Sequence, residues 1–239
     1  MTELILSEIT RMGPGHCIIG IEKAAERCRS LRPLPPWGHA WPKSFPPQRG
    51  DRLQFCLSEV FPTKPHLEDR PSTGVRGNPG RIPEEELVRC LRQAEVADRL
   101  KDLFGCPVTP RRRGHNVCTE PGQGNRSICG CDFLNLSLQL LGTEVRGKLV
   151  LPSGETLHDL PLVDRDWNEF IEVARTEIRG ANQVQRLNRF LTSRVPDILA
   201  SDPKRFVRIG LSRPFDGGCW LMLDSLFPLP QRAWLEQLK

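Results

Sequence analysis

Residues 4–22 read LILSEITRMGPGHCIIGIE, two short apolar runs joined by a glycine–proline–glycine turn. Within the first run Ile5, Ser7 and Ile9 alternate with Leu6 and Glu8, which predicts a curved strand whose outer face is partly solvated. The same texture continues through RSLRPL (29–34) and, after the turn at Arg49, Gly50 and Asp51, through LQFCLSEVF (53–61). Short apolar runs cut by turn residues at this spacing predict a small barrel or sandwich. Between them, WGHAWPKSFPP (37–47) reads as a stiff, aromatic, irregular loop that is either packed down or used for binding.

Outward from this segment, the polar, proline- and glycine-rich stretch from Thr63 to Ile82 predicts a connection between domains, with a boundary near Arg81. PEEELVRCLRQAEVADRLKDLFG (83–105) predicts a helix: Pro83 opens it, three acidic residues fill its first turn, and Leu87, Leu91, Leu100 and Leu103 follow near helical spacing before Gly105. CPVTPRRRGHNVCTEPGQGNRS (106–127) is a basic, glycine-containing loop long enough to imply a use. Strands resume in SICGCDF, LSLQLLG, VRGKLVL and TLHDLPLV, with PSG (152–154) as a hairpin turn. DRDWNEFIEVARTEIRG (164–180) has an aspartate cap and one apolar face, and VQRLNRFLTSRVPDILA (184–200) adds a helix that Pro196 breaks or kinks. FVRIGLS and CWLMLDSLF close the chain as strands around the RPFDGG turn. The expected fold class is α+β, mostly β: a first β domain over 1–81, a helical connection over 82–105, and a second β domain with two helices over 106–239.

Composition narrows the function classes. Charged residues make up 26% of the chain and hydrophobic residues 38%, and no apolar run approaches the roughly 20 residues that cross a bilayer. The first residues, MTELILSEITRMGPGHC, lack the basic start, apolar stretch and cleavage site of an export signal, so a cytoplasmic protein is expected. Nine cysteines, an odd number at irregular spacing, then read as reduced core residues rather than a disulfide framework. The net charge of +5 suits a polyanionic partner without requiring one.

GHCIIGIE (15–22), RSLRPL (29–34) and RGDRLQFCLSEVFPTKPHLEDR (49–70), together with the stretch from ICGCDF to LPLVDRDW (128–167) and the closing RIGLSRPFDGGCWLMLDSLFP (208–228), resemble the prokaryotic dual OB-containing domain family. The resemblance covers about two-thirds of the chain. It implies two small OB-like β-barrels with helical insertions, and a nucleic-acid-related role in bacteria or archaea. The chain departs from the family pattern in the cysteine-bearing loop from His115 to Cys131 and in having no tyrosine.

Single strands are held by cationic side chains that track phosphates and by aromatic faces on which bases stack. Arg32, Trp37, Trp41 and Lys43 form one such group, and Arg111, Arg112, Arg113, His115 and Arg126 form a denser second one. Each has a plain structural alternative: tryptophans that plug a barrel end, an Arg32 ion pair, an arginine run that is a solvated face. His115, Cys118, Cys129 and Cys131 have a spacing that could converge on zinc, but C-x-C is less usual than C-x2-C, and the two thiols would serve as well as small core residues on one strand face. No metal or cofactor is expected. Asp164 and Asp166 could pair as a nuclease metal site, although their place at a helix start favours capping. No nucleophile elbow, zincin helix, P-loop or dinucleotide-binding fingerprint is present. The reading is therefore a non-catalytic nucleic-acid-binding protein, for single-stranded or structured RNA or DNA, in a prokaryotic defence or processing complex. The alternative is a protein–protein adaptor within a larger assembly.

Overall fold

The computed structural model describes residues 1–13, 15–24, 27–38, 40–45, 47–59, 62–110, 117–178 and 182–238. The first half builds six strands: β1 (Thr2–Met12), β2 (Gly15–Ala24), β3 (Arg27–Leu34), the short β4 (Trp41–Pro42), β5 (Asp51–Leu57) and β6 (Asp69–Arg81). Five of them close into a β-barrel in the order β1–β2–β3–β6–β5–β1. All these pairings are antiparallel except β3 with β6, where Arg32 lies opposite Asp69 and Leu34 opposite Pro71 in a parallel ladder. A register shift between Leu6 and Glu8 bends β1, which pairs with β2 along most of its length and with β5 at its start. Leu4, Leu6, Ile9, Ile18, Leu31, Leu53 and Phe55 fill the barrel, and Trp41 packs with them.

Two sequence expectations are corrected here. The stretch from Thr63 to Ile82 is not only a connection, since it supplies β6, the strand that completes the barrel. Its glycines are used where the ladder to β5 slips register: Gly74, Gly77 and Gly80 all have positive φ, a conformation that side-chain-bearing residues seldom adopt. The helix expected over 83–105 is also shorter. Here α1 spans Glu84–Arg92, and beyond it Glu95 and Ala97 exchange backbone hydrogen bonds with Gly130. Strand-like pairing with the second half thus interrupts a helical pattern, and Leu100–Asp102 forms one 3-10 turn instead.

In the second half β7 (Thr109–Pro110), β8 (Val117–Thr119), β9 (Ile128–Cys131), β13 (Phe206–Leu211) and β14 (Cys219–Phe227) form one sheet in the order β7–β8–β14–β13–β9. A meander of β10 (Asn135–Leu141), β11 (Glu144–Val150) and β12 (Thr156–Pro161) forms the other. The two are joined at both ends. β9 runs through residues 132–134 into β10, and the chain after β12 makes a parallel bridge from Leu162 to Leu223 of β14, with Val163 N donating to Leu223 O at 3.0 Å.

Helices α2 (Arg165–Glu177), α3 (Gln183–Arg189) and α4 (Val195–Ser201) lie between β12 and β13 in the chain. Asp164 caps α2 as its sequence predicts, its side chain accepting from the backbone N–H groups of Asp166 and Trp167. Trp167, Phe170, Ile171 and Ala174 face the core, and Trp167 and Phe170 pack against Trp234. Pro196 does not break the second helical segment. It sits in the first turn of α4, where its missing N–H costs little, after a π-helical stretch at Phe190–Arg194.

The halves meet over a polar junction. The solvated outer face expected for β1 is covered instead: Glu8 is fully buried and accepts from Arg208 Nε at 2.6 Å, while Arg208 also reaches Ser30 and the Glu95 carbonyl. Arg49, fully buried too, pairs with Asp164 and, through Nε at 2.9 Å, with Asp166. Arg32 bonds to Asp69 at 3.1 Å and Ser127 at 3.1 Å. Among the described residues, no helix is long and apolar enough to cross a membrane.

Candidate ligand site at the junction

A cavity of about 400 Å³ opens where the turn after β1 meets the turn between β13 and β14. Its floor comes from β14, on which Leu221 and Leu223 point into the core while Met222 and Asp224 point the other way, towards the barrel of the first half. Arg32 from β3, Cys17 from β2 and His66 from the turn before β6 form one wall, and Arg213 and Phe215 form the rim. Phe215 is 73% exposed.

The polar groups of this cavity are incompletely satisfied. Arg32 Nε and Asp224 Oδ1 are buried without a hydrogen-bond partner, although buried polar atoms are nearly always paired. Arg32 Nη1 lies 3.1 Å from His66 Nδ1. A guanidinium can only donate, so Nδ1 accepts and the imidazole proton sits on Nε2. Burial, then the charges of Arg32 and Arg213, lower the His66 pKa to about 3, against a smaller opposing influence from the Ser212 carbonyl. The ring is neutral at physiological pH.

Asp224 is only 4% exposed, and burial drives its pKa up to about 8. Arg32 and Arg208 oppose the rise, while Glu8 and Asp164 add to it. The carboxyl rests directly on β13: a Cβ at Gly210 would come within 1.9 Å of Asp224 Oδ2, so glycine is required there by close approach. The cations of the cavity are matched by internal acids. Arg213 pairs with Asp69 at 2.6 Å, Arg32 with Asp69 and Glu68, and Arg11 with Glu172 at 2.6 Å. What remains is an electrically balanced site with one free N–H donor, Arg32 Nε, and a carboxylic acid.

The residues singled out from sequence separate into three groups. Arg32 is buried inside this network and presents no open cationic surface, and Trp41 is only 3% exposed, its Nε1 donating to Pro33 O at 2.8 Å and its ring packed on Phe45 and Phe55. Trp37, by contrast, is 66% exposed beside Trp41, with exposed Lys43 on the same loop. Arg126 is half-buried and joins Arg29 and Arg70 around a second cavity of about 330 Å³ that also contains Glu68 and Glu95. Arg111, Arg112, Arg113 and His115 lie outside the described residues. They fall between β7 and β8, and β8 pairs with β14 at Cys118–Trp220 and Thr119–Cys219.

The zinc arrangement divides in the same way. His115 lies outside the described residues, as does the Cys118 side chain, while Cys129 and Cys131 are core residues on β9. Burial pushes the Cys129 thiol up to about 11 and raises Cys131 as well, with Cys129 and Asp132 adding to the latter, so both favour the neutral thiol. Among the described residues no cluster of three metal-ligating side chains occurs. Asp164 and Asp166 hold Arg49 and the start of α2.

Sequence reading missed His66, Arg213, Phe215 and Asp224. One local signal existed, since Asp224 is the lone acidic residue in the apolar run CWLMLDSLF. The chain matches no protein-family model, and no curated protein or solved structure matches it.

Proposed function

We propose that this chain is a non-catalytic nucleic-acid-binding protein made of two OB-type barrels, taking single-stranded or structured RNA or DNA. The strand order carries the reading. In the first half it runs β1–β2–β3–β6–β5–β1 with a parallel β3–β6 pair, which is the five-stranded Greek-key path of an OB barrel. The second half follows the same path if β9 and β10 are taken as one broken first strand: β10, β11, β12, then across the parallel Leu162–Leu223 bridge to β14, β13 and back to β9.

OB barrels hold oligonucleotides with the loops that join strands one to two and four to five. In the second barrel the latter loop is residues 212–218, which carries exposed Phe215 as a stacking face and Arg213 beside it. The hairpin that brackets Arg111 to Arg113 is paired with the strand leaving that loop. A cytoplasmic role within a prokaryotic defence or processing complex fits this reading.

The test is fluorescence anisotropy of a labelled oligonucleotide titrated with the full chain at several salt concentrations. Binding should weaken steeply with salt, and alanines at Arg111, Arg112 and Arg113 should weaken it and flatten the salt slope. Absence of binding at 50 mM salt overturns the reading. A protein–protein adaptor is the second reading, favoured by the internal neutralisation of Arg32, Arg49 and Arg208, and it predicts a stoichiometric protein partner without co-purifying nucleic acid.

A further inference from the structure

We propose that the junction cavity binds one flat, uncharged nitrogen heterocycle, a nucleobase that carries a hydrogen-bond donor beside an acceptor, with Asp224 reading that edge and Phe215 stacking on its face. The unpaired buried atoms require a ligand that both donates and accepts. Arg32 Nε is a donor waiting for an acceptor, and Asp224 Oδ1 is a buried oxygen without a partner. Bound phosphate is excluded by the charge balance, because Arg11, Arg32 and Arg213 are each engaged by Glu172, Asp69 or Glu68. The remaining lining, Met12, Val163, Leu211, Pro214 and Met222, is apolar and suits a planar ring.

Asp224 reads a donor beside an acceptor. Held neutral up to about pH 8, the carboxyl offers one O–H donor beside one acceptor oxygen, the same pattern as an asparagine amide. The proton can sit on either oxygen, so the pattern complements both a ring nitrogen next to an exocyclic amine, as in adenine and cytosine, and a carbonyl next to a ring N–H, as in hypoxanthine and uracil. A purine without an exocyclic group offers only the acceptor and loses half of the match. Every charged or titratable group around Asp224 enters this argument: Arg32, Arg208 and Arg213 on one side, Glu8, Asp69 and Asp164 on the other, with neutral His66 and the Cys17 thiol, which burial keeps protonated.

The base could come from a strand bound over the 212–218 loop or from a free nucleoside. The first source rests on the nucleic-acid reading above and the second does not. Adenosine, cytidine, inosine, uridine and purine riboside would be titrated into the full chain by calorimetry, with saturation-transfer NMR to identify the ring protons in contact.

Adenosine should bind at least about tenfold more tightly than purine riboside, which lacks the exocyclic donor, since unpaired buried donors and acceptors penalise the mismatch. Asp224→Ala should weaken binding about tenfold or more. Asp224→Asn should retain it, because the amide reproduces the donor–acceptor pair. Above pH 8 wild-type binding should weaken by up to about tenfold per unit while the asparagine variant stays flat. Phe215→Ala, an exposed position that folding does not depend on, should cost roughly 5- to 150-fold, the range for loss of one base–aromatic stack.

Purine riboside binding as tightly as adenosine, an Asp224→Ala variant that binds like wild type while melting normally, or no nucleoside binding at ~1 mM would overturn the proposal. Oligonucleotide titrations run beside these separate the two readings. Oligonucleotide binding with no dependence on Asp224 sinks the pocket alone, whereas nucleoside binding without oligonucleotide binding supports the pocket and sinks the nucleic-acid function.

Discussion

Replacing Arg208 tests what holds the two halves together. Its guanidinium is fully buried and bonds to Glu8, Ser30 and the Glu95 carbonyl, so it ties a strand of the second half to β1, β3 and the segment after α1. Arg208→Met preserves much of the side-chain volume but leaves the Glu8 carboxylate at 0% exposure without its cation. Removing one partner of a buried pair costs about 3–5 kcal/mol, because the other charge stays desolvated. At about 2–4 °C per kcal/mol for a chain of this size, the melting temperature should fall by about 6–20 °C.

Urea unfolding followed by tryptophan fluorescence measures the loss. In the variant, a carboxyl without its partner takes up a proton to escape its charge, so the deficit should shrink as pH falls from 7 towards 5. Adding Glu8→Gln should restore most of the stability, since it removes the isolated charge. A single-variant loss below about 1 kcal/mol, or a double variant as unstable as the sum of the singles, would refute the buried pair as the fastening.

Asp224 and His66 predict opposite pH dependences. The folded-state pKa of Asp224 is raised from 3.8 to about 8, so folded protein retains a proton that unfolded chain has released. Its stability relative to Asp224→Asn should therefore fall as pH rises across that window, by up to ~1.4 kcal/mol per unit, and level off above pH 8 in calorimetric scans. For His66, lowered from 6.5 to about 3, the contribution is fully present above pH 6.5 and is lost on acidification towards pH 3, a slope that His66→Gln should remove. Asp164→Ala should cost more than Asp164→Asn, because asparagine keeps the α2 cap, worth about 1 kcal/mol, while both lose the charge facing Arg49; chemical denaturation of the pair of variants checks the difference. Trp41→Ala should destabilise by about 3–5 kcal/mol, and exposed Trp37→Ala should stay within about 0.5 kcal/mol, as read by thermal melts.

Local pattern was enough for much of the fold. β1, β2, the β10–β11–β12 meander and the β13–β14 hairpin are apolar runs bounded by turn residues, and the Asp164 cap precedes an amphipathic stretch, so neighbours in sequence specify each one. β6 was illegible because Pro71, Pro79 and three glycines read as a linker. Only the open edges of β3 and β5, which need a partner for their backbone groups, make a strand of it.

The site was harder still. Arg32 and Trp41 look like surface binding residues by type, yet a guanidinium can be buried only where acids converge on it, and Asp69 and Glu68 reach Arg32 from a strand 37 residues away and the turn that precedes it. Asp224, His66 and Phe215 come from three separate segments, and their shared cavity exists only because the two halves pack. Sequence thus determined the strands and helices that side-chain periodicity along the chain specifies, and left out β6 and the pairing after α1. Tertiary structure alone decided which charges are spent inside and which polar atoms are left without partners, because both follow from distances between residues far apart in the chain.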